Sequence, residues 1–415
     1  MHDKRHILII ASTATVALFA SCRGTEVART ISTPIENQDA RIARLLRQVP
    51  LIDGHNDLPW ETRQQSKLSF EGFDLTKWND TRHTDIPRLR HGGVGAQFWS
   101  VYVPVNFGRD EAVTATLEQI DFVRRLIARY GEVFEFATGP TELRRIHRQG
   151  KIASMIGVEG GHQTGGSLAV LRQLHALGAQ YMTLAHATNS PFADAATDEP
   201  EYGGLSAAGR EAIAEMNRLG MLVDLSHVTP QAMHQGLDAS RAPVIFSHSS
   251  ARALTDHPRN VPDDVLQRLP VEGGLVMVTF VPAFVSRTAG DYGLRQIAEQ
   301  QRLRELYGAK NDPRIENGLR VWGIKNPRPK ATLREVADHV EHIAKVAGHD
   351  HVGIGGDFDG IADVVEGLED VSKYPDLLRE LARRGWSDDQ LRKLCGENLL
   401  RVWEAVEGVA RATQR

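Results

Sequence analysis

Seven imidazoles and carboxylates in this sequence stand at or just past the ends of short apolar runs: His55, Asp57, Glu159, His186, His227, His248 and Asp357. Imidazole nitrogen and carboxylate oxygen are ligands suited to zinc. A carboxylate using both oxygens can bridge two ions about 3.5 to 4 Å apart. Glu159, closing the run from Met155 to Val158, is the natural bridge, and His55, Asp57, His227 and His248 complete a set of three histidines and two carboxylates. Two zinc ions so held polarise a carbonyl and make a bridging hydroxide available at neutral pH, which is the chemistry of hydrolysis. No single member compels this reading, because a lone histidine is as often a hydrogen-bonded core residue. A second His-x-Asp pair, His83 and Asp85, follows a loop-like stretch and reads as surface. Five ligand-type residues at four strand ends make coincidence a poor account.

Such residues converge only if the runs are neighbouring strands. Eight runs recur: Pro50 to Gly54, Gly95 to Val103, Ile152 to Val158, Tyr181 to Ala185, Met221 to Leu225, Pro243 to Phe246, Gly274 to Phe280 and His351 to Gly355. Between them lie segments of helical period, among them Thr114 to Tyr130, Ser167 to Leu177, Ser206 to Leu219, Thr229 to Asp238 and Leu333 to Ala347. The alternation predicts a (β/α)8 TIM barrel, with catalytic groups at the C-terminal ends of its strands. The stretch 288–331 predicts a helical insertion before the eighth strand. Residues 370–409 predict closing helices, with Ser387 as an N-cap. His175, His234, His339 and His342 fall inside helical patterns and read as solvated or partner-satisfied, whereas His162, just past Glu159, is a candidate for the pocket wall.

The 415 residues suit one domain over residues 41–410, and a net charge of -4 with ordinary globular composition gives no field for nucleic acid. At the N-terminus, Lys4 and Arg5 precede an apolar run from Ile7 to Ala20, too short to span a bilayer as an ordinary helix. That is a signal-peptide pattern. It ends at Phe19-Ala20-Ser21-Cys22, which resembles a bacterial lipobox, so residues 1–22 predict a lipoprotein signal with Cys22 lipidated and the chain exported, membrane-anchored and facing the periplasm or cell exterior. Residues 23–40 read as a flexible tether. With Cys22 acylated, Cys395 has no disulfide partner.

Longer blocks carry a family resemblance. They run from His55 to Trp60, Gly157 to Gly161, Leu184 to His186, Val223 to His227, Ser247 to Ser249, His257 to Asn260 and Gly355 to Gly360. In this order they resemble the renal or membrane dipeptidases of the amidohydrolase superfamily, from about Leu51 to Glu404. The resemblance implies a TIM barrel with two zinc ions, one on His55, Asp57 and Glu159, the other on Glu159, His227 and His248. It implies that His186 contacts substrate and stabilises the tetrahedral intermediate, that Arg259 receives the substrate and that Asp357 handles the proton. The substrate is then a dipeptide, with L-D dipeptides included, and members of the family often form homodimers. A guanidinium fork suits a free C-terminal carboxylate, and Asn260 is expected as a neutral polar contact beside it. Asp359 is the rival to Asp357 for the proton.

The pattern departs from the family at Phe284, where mammalian members carry a substrate-binding tyrosine; the missing hydroxyl alters the grip on substrate. Two other functions stay open on the residues: an amidohydrolase acting on another amide or a lactone, and an inactive lipoprotein that captures peptides.

Overall fold

The computed structural model describes residues 37–72, 74–308 and 312–413. Cys22 and the expected signal lie outside these residues. The first described helix, Gln38–Gln48, takes in the last three residues of the stretch read as a tether, with Asn37 as its N-cap accepting from the Asp39 amide. Among the described residues no helix is long and apolar enough to cross a membrane.

Among the described residues nine strands follow in chain order: β1 Leu51–Asn56, β2 Val94–Ser100, β3 Phe134–Phe136, β4 Ile152–Glu159, β5 Ala179–Thr183, β6 Leu222–Asp224, β7 Ile245–Ser249, β8 Leu275–Val278 and β9 Val352–Ile354. All pair in parallel, in the order β2-β1-β9-β8-β7-β6-β5-β4, and the β2–β4 pairing closes eight of them into the expected barrel. The remaining strand, β3, pairs with the first half of β4, Phe134 opposite Ile152, while β5 pairs with its second half, Glu159 opposite Thr183. Three residues are too few to show a period, so the sequence gives no sign of β3. The strands read as unbroken apolar runs because helices cover the outside and side chains fill the inside.

Burial explains how the interior is held. Trp403, on the closing helix Asn398–Thr413, packs against Phe98 from the N-terminal end of the barrel, ring centroids 5.9 Å apart. Higher up, the Asp53 carboxylate accepts from Gln97 Nε2 (3.0 Å), the Gly356 amide (2.7 Å) and the Tyr374 hydroxyl (2.7 Å). It ties β1 to β2 and to the loop after β9, beneath the catalytic end. Ser387 caps Asp388–Arg392 as expected, its hydroxyl accepting from the Gln390 amide. The insertion between β8 and β9 is a pair of helices, Arg287–Tyr307 and Pro313–Lys325, joined in part by Tyr292 against Trp322 at 5.2 Å.

His339 belongs to the core. On helix Leu333–Ala347, its Nδ1 accepts from the Ala251 amide (3.0 Å) and its Nε2 donates to Val285 O (3.1 Å). Burial holds it neutral and lowers its pKa from 6.5 to about 4. Between those values the unfolded chain binds the proton first, so stability is full above pH 6.5 and falls as pH drops towards 4. The loss approaches about 3 kcal/mol from this residue. Urea unfolding at a series of pH values checks it: a His339→Gln variant should show a shallower acid slope than the parent, and equal slopes would refute the assignment.

Candidate active site

The site is built where four barrel strands end. His55 closes β1, and its Nδ1 lies 2.8 Å from the Tyr181 hydroxyl on β5. That hydroxyl donates to Gly54 O (3.3 Å), so its oxygen accepts from Nδ1 and the Nε2 lone pair is left facing the cavity, a tautomer assigned from these partners. Gly157 makes this reach possible, because a Cβ there would stand 2.0 Å from the Tyr181 ring. Asp57 lies past the strand, as N-cap of helix Leu58–Ser66. His55 and Asp57 therefore meet through the turn into that helix and not through strand alternation. Their closest atoms, His55 Nε2 and Asp57 Oδ2, are 3.2 Å apart.

Glu159, the last residue of β4, sits at the centre. Its Oε2 accepts from Ser100 Oγ (3.0 Å) and lies 3.3 Å from His55 Nε2. Its Oε1 lies 3.2 Å from His227 Nε2, 3.4 Å from His248 Nε2 and 3.4 Å from His186 Nε2. His227 follows β6 in the left-handed region, φ 69°, a costly conformation for a side chain of this size that is typical of functional positions. His248 lies on β7 and is oriented from behind: Ser247 Oγ donates to Asp224 Oδ2 (2.6 Å) and so accepts from His248 Nδ1 (2.8 Å). Burial holds both His227 and His248 well below the usual imidazole pKa, as neutral rings.

These residues fit metal ions. His55 Nε2 and Asp57 Oδ1 are buried with no hydrogen-bond partner. Ligand atoms of a tetrahedral zinc with bonds of about 2.0 to 2.1 Å stand about 3.3 Å apart; the nitrogen-to-carboxylate separations here are 3.2 to 3.4 Å, and His227 Nε2 and His248 Nε2 stand closer, at 2.8 Å. The donor set of nitrogens and carboxylate oxygens is the one zinc takes.

Asp357 lies past β9 with φ 63°, its Oδ1 3.9 Å from His55 Nε2. Burial, with Asp57 and Glu159 beside it, raises its carboxyl well above the carboxylate range. Asp359 shares the positive φ and also lines the cavity, with its Oδ1 accepting from the His83 amide (2.7 Å) and its amide donating to His83 Nδ1 (3.0 Å). That pairing corrects the surface reading of the second His-x-Asp pair. Thr84 and Asp85 are buried; Asp85 caps helix Ile86–His91 and pairs with Arg88 at 2.7 Å. The signal was present as an acidic N-cap with proline two residues on.

Arg259 is buried at the cavity wall, with Nη2 on His248 O (3.4 Å), Nη1 without a partner, and Phe284 5.3 Å away under the guanidinium. Burial lowers its pKa to about 10, so it stays charged. Phe284 also lines the cavity and lies against His257, ring centroids 4.3 Å apart and tilted by 31°. Asn260, expected at the substrate, instead donates to Thr255 O (2.9 Å) and Phe284 O (2.8 Å), bracing the loop that presents Arg259. It is absent from the cavity lining. His162 is likewise turned away, onto Val103 O (3.0 Å). The cavity, about 540 Å³, is walled further by Trp60 and by Tyr102, whose ring lies 4.8 Å from His186. Tyr102, Tyr181 and Ser100 carried no motif that pointed to the site; Asp224 falls inside the block Val223 to His227, but no role was read for it.

A parallel barrel with histidines and carboxylates gathered at its C-terminal end defines a metal-dependent hydrolase. The chain belongs to the membrane dipeptidase family, peptidase family M19, which matches residues 39–415. Its fold is that of the probable dipeptidase PvdM from Pseudomonas aeruginosa, 24% identical, with 90% of this chain and 99% of that chain covered and a TM-score of 0.77. The dipeptidase AC, a metallopeptidase of family M19, is 25% identical over 87% of this chain and 99% of that one, TM-score 0.71. A metallopeptidase from Rhodobacter sphaeroides, liganded with a phosphinate mimic of the dipeptide L-Ala-D-Ala, is 25% identical over 86% and 99%, TM-score 0.69. This chain is accordingly a metallopeptidase of the dipeptide-hydrolysing type.

Proposed function

We propose that the chain is a two-zinc dipeptidase acting on dipeptides with a free C-terminal carboxylate, those with a D-residue second included. The observation that carries this reading is Glu159: its two oxygens face separate nitrogen sets, His55 at 3.3 Å on one and His227 and His248 at 3.2 and 3.4 Å on the other. His55, Asp57 and Glu159 would hold one ion; Glu159, His227 and His248 the other. Zinc there supplies Lewis acidity to the scissile carbonyl and water acidified into the neutral range.

The chain's own groups do the rest. Arg259 Nη1, buried and unpartnered, receives the substrate carboxylate and sets where the chain must end. His186, over the same cavity, donates to the developing oxyanion. Asp357 accepts the proton of the attacking water and returns it to the departing amine. The phosphinate mimic of L-Ala-D-Ala on the Rhodobacter relative supports a D-residue at the second position.

Metal analysis and a stereochemically varied dipeptide panel test the reading together. Near two zinc ions per chain and chelator-sensitive turnover are expected, whereas peptide binding without turnover would sink it. Arg259→Met should lower kcat/KM about a hundredfold, mostly through KM, the worth of a buried charge-assisted pair. A dipeptide amide, lacking the carboxylate, should lose far less between parent and variant; equal losses would remove Arg259 from the role.

Export as a lipoprotein is part of the same proposal and rests on the apolar run and Cys22. Mass spectrometry of the mature chain should find acylated Cys22 at its N-terminus, and an unmodified start beyond it overturns the anchor.

A further inference from the structure

The two inserted helices have an outer surface unlike the rest of the molecule. Among the described residues, five of the ten exposed large apolar side chains lie there: Leu294, Ile297, Leu306, Val321 and Ile324, with Leu294 67% and Ile324 72% exposed. Leu294 and Ile297 are three apart on Arg287–Tyr307, and Val321 and Ile324 three apart on Pro313–Lys325, so each pair shares one helix face. Buried residues of these helices, Tyr292, Leu303 and Ile315, are separate positions, so the exposed pairs are not spare core.

Charge follows the same border. Between Arg287 and Lys330 stand ten basic and five acidic residues, in a chain whose net charge is -4. Arg302 and Arg314 are ion-paired with Glu299 and Asp312, but no carboxylate partners Arg304 or Lys325 among the described residues. Helical geometry sets Lys325 one turn from Val321, four positions on, and Arg304 on the same face as Ile297, seven positions and two turns on. Apolar side chains ringed by long basic ones are how a helix lies in the interface of an anionic bilayer, the apolar groups entering the acyl boundary and the cations meeting headgroups.

We propose that this helical pair docks the enzyme onto the surface of an anionic lipid bilayer. A second copy of the chain fits less well, because a two-fold contact through the same patch would set its unpaired cations against each other. The inserted helix also stands beside the catalytic mouth. Ala289, Tyr292 and Gln296 wall a neighbouring cavity of about 660 Å³ whose other side, Gly360, Ile361 and Ala362, also lines the catalytic one. None of this depends on Cys22.

Residues 37–415 form one compact unit and can be tested without the N-terminal segment. Sedimentation with vesicles of phosphatidylglycerol and phosphatidylethanolamine is compared with phosphatidylcholine vesicles. The unit should bind the anionic vesicles, less so as salt rises, and hardly at all the zwitterionic ones. Leu294→Ser, Ile297→Ser and Ile324→Ser combined should reduce binding by at least about tenfold while leaving turnover of a soluble dipeptide unchanged. Arg304→Gln with Lys325→Gln should weaken binding and flatten its salt dependence, which keeps the test open should the triple variant fold poorly. No binding to anionic vesicles overturns the proposal, as does equal binding by parent and both variants. Self-association abolished by the triple variant, without vesicle binding, overturns it in favour of a second copy.

Discussion

Glu159→Gln should leave a folded barrel that has lost metal and at least about a thousandfold in kcat/KM, equivalent to about 4 kcal/mol of transition-state stabilisation. The reason lies in the symmetry of demand on this side chain. Oε2 faces His55 and Ser100, and Oε1 faces His186, His227 and His248. A glutamine has the same shape but only one oxygen. Whichever way the amide turns, its nitrogen presents protons where one set of imidazoles needs an acceptor or a shared cation. On the two-zinc reading, one ion would lose a ligand outright and the other would keep only a neutral amide oxygen where it had a carboxylate. Elemental analysis and dipeptide kinetics on the same preparation read both losses. Retention of two zinc ions with near-parental turnover would refute Glu159 as the bridge.

The strand ends and their ligand residues were legible because they depend on local pattern. Each of the eight barrel strands coincides with an apolar run, and His55, Glu159, His227 and His248 fall at or just beyond the ends of β1, β4, β6 and β7. What sequence hid is long-range pairing between polar groups. His55 is oriented by Tyr181, 126 positions away, and Asp359 is held by His83, 276 positions away. Asn260 looked like a substrate contact by its place beside Arg259, but the direction of its amide is set by Phe284 O across the loop. A period or a motif reports which face a residue occupies; it carries no information about which carbonyl a side chain will find. Asp57 shows the limit from the other side. The His-x-Asp spacing suits strand alternation, which would put both side chains on one face, yet the two converge with Asp57 in the turn that starts a helix.

Asp357→Asn should keep the metal content close to parental and lower kcat by about a hundredfold to ten-thousandfold, the usual span for losing a general acid-base group. Asp357 Oδ1 lies 3.9 Å from His55 Nε2, against 3.2 Å for Asp57 and 3.3 Å for Glu159. Those two match the edge of a tetrahedral ligand shell, about 3.3 Å; Asp357 stands outside it. Asparagine is the informative replacement because the backbone is left-handed here, φ 63°, and asparagine tolerates that region better than most residues. Gly360 lets the loop approach both carboxylates: a Cβ on it would come within 2.3 Å of Asp57 Oδ2 and 2.6 Å of Asp357 Oδ1. An unchanged KM with a collapsed kcat would place the loss in proton transfer. Loss of zinc along with activity would make Asp357 a ligand instead, and would return the proton to another group on the cavity wall.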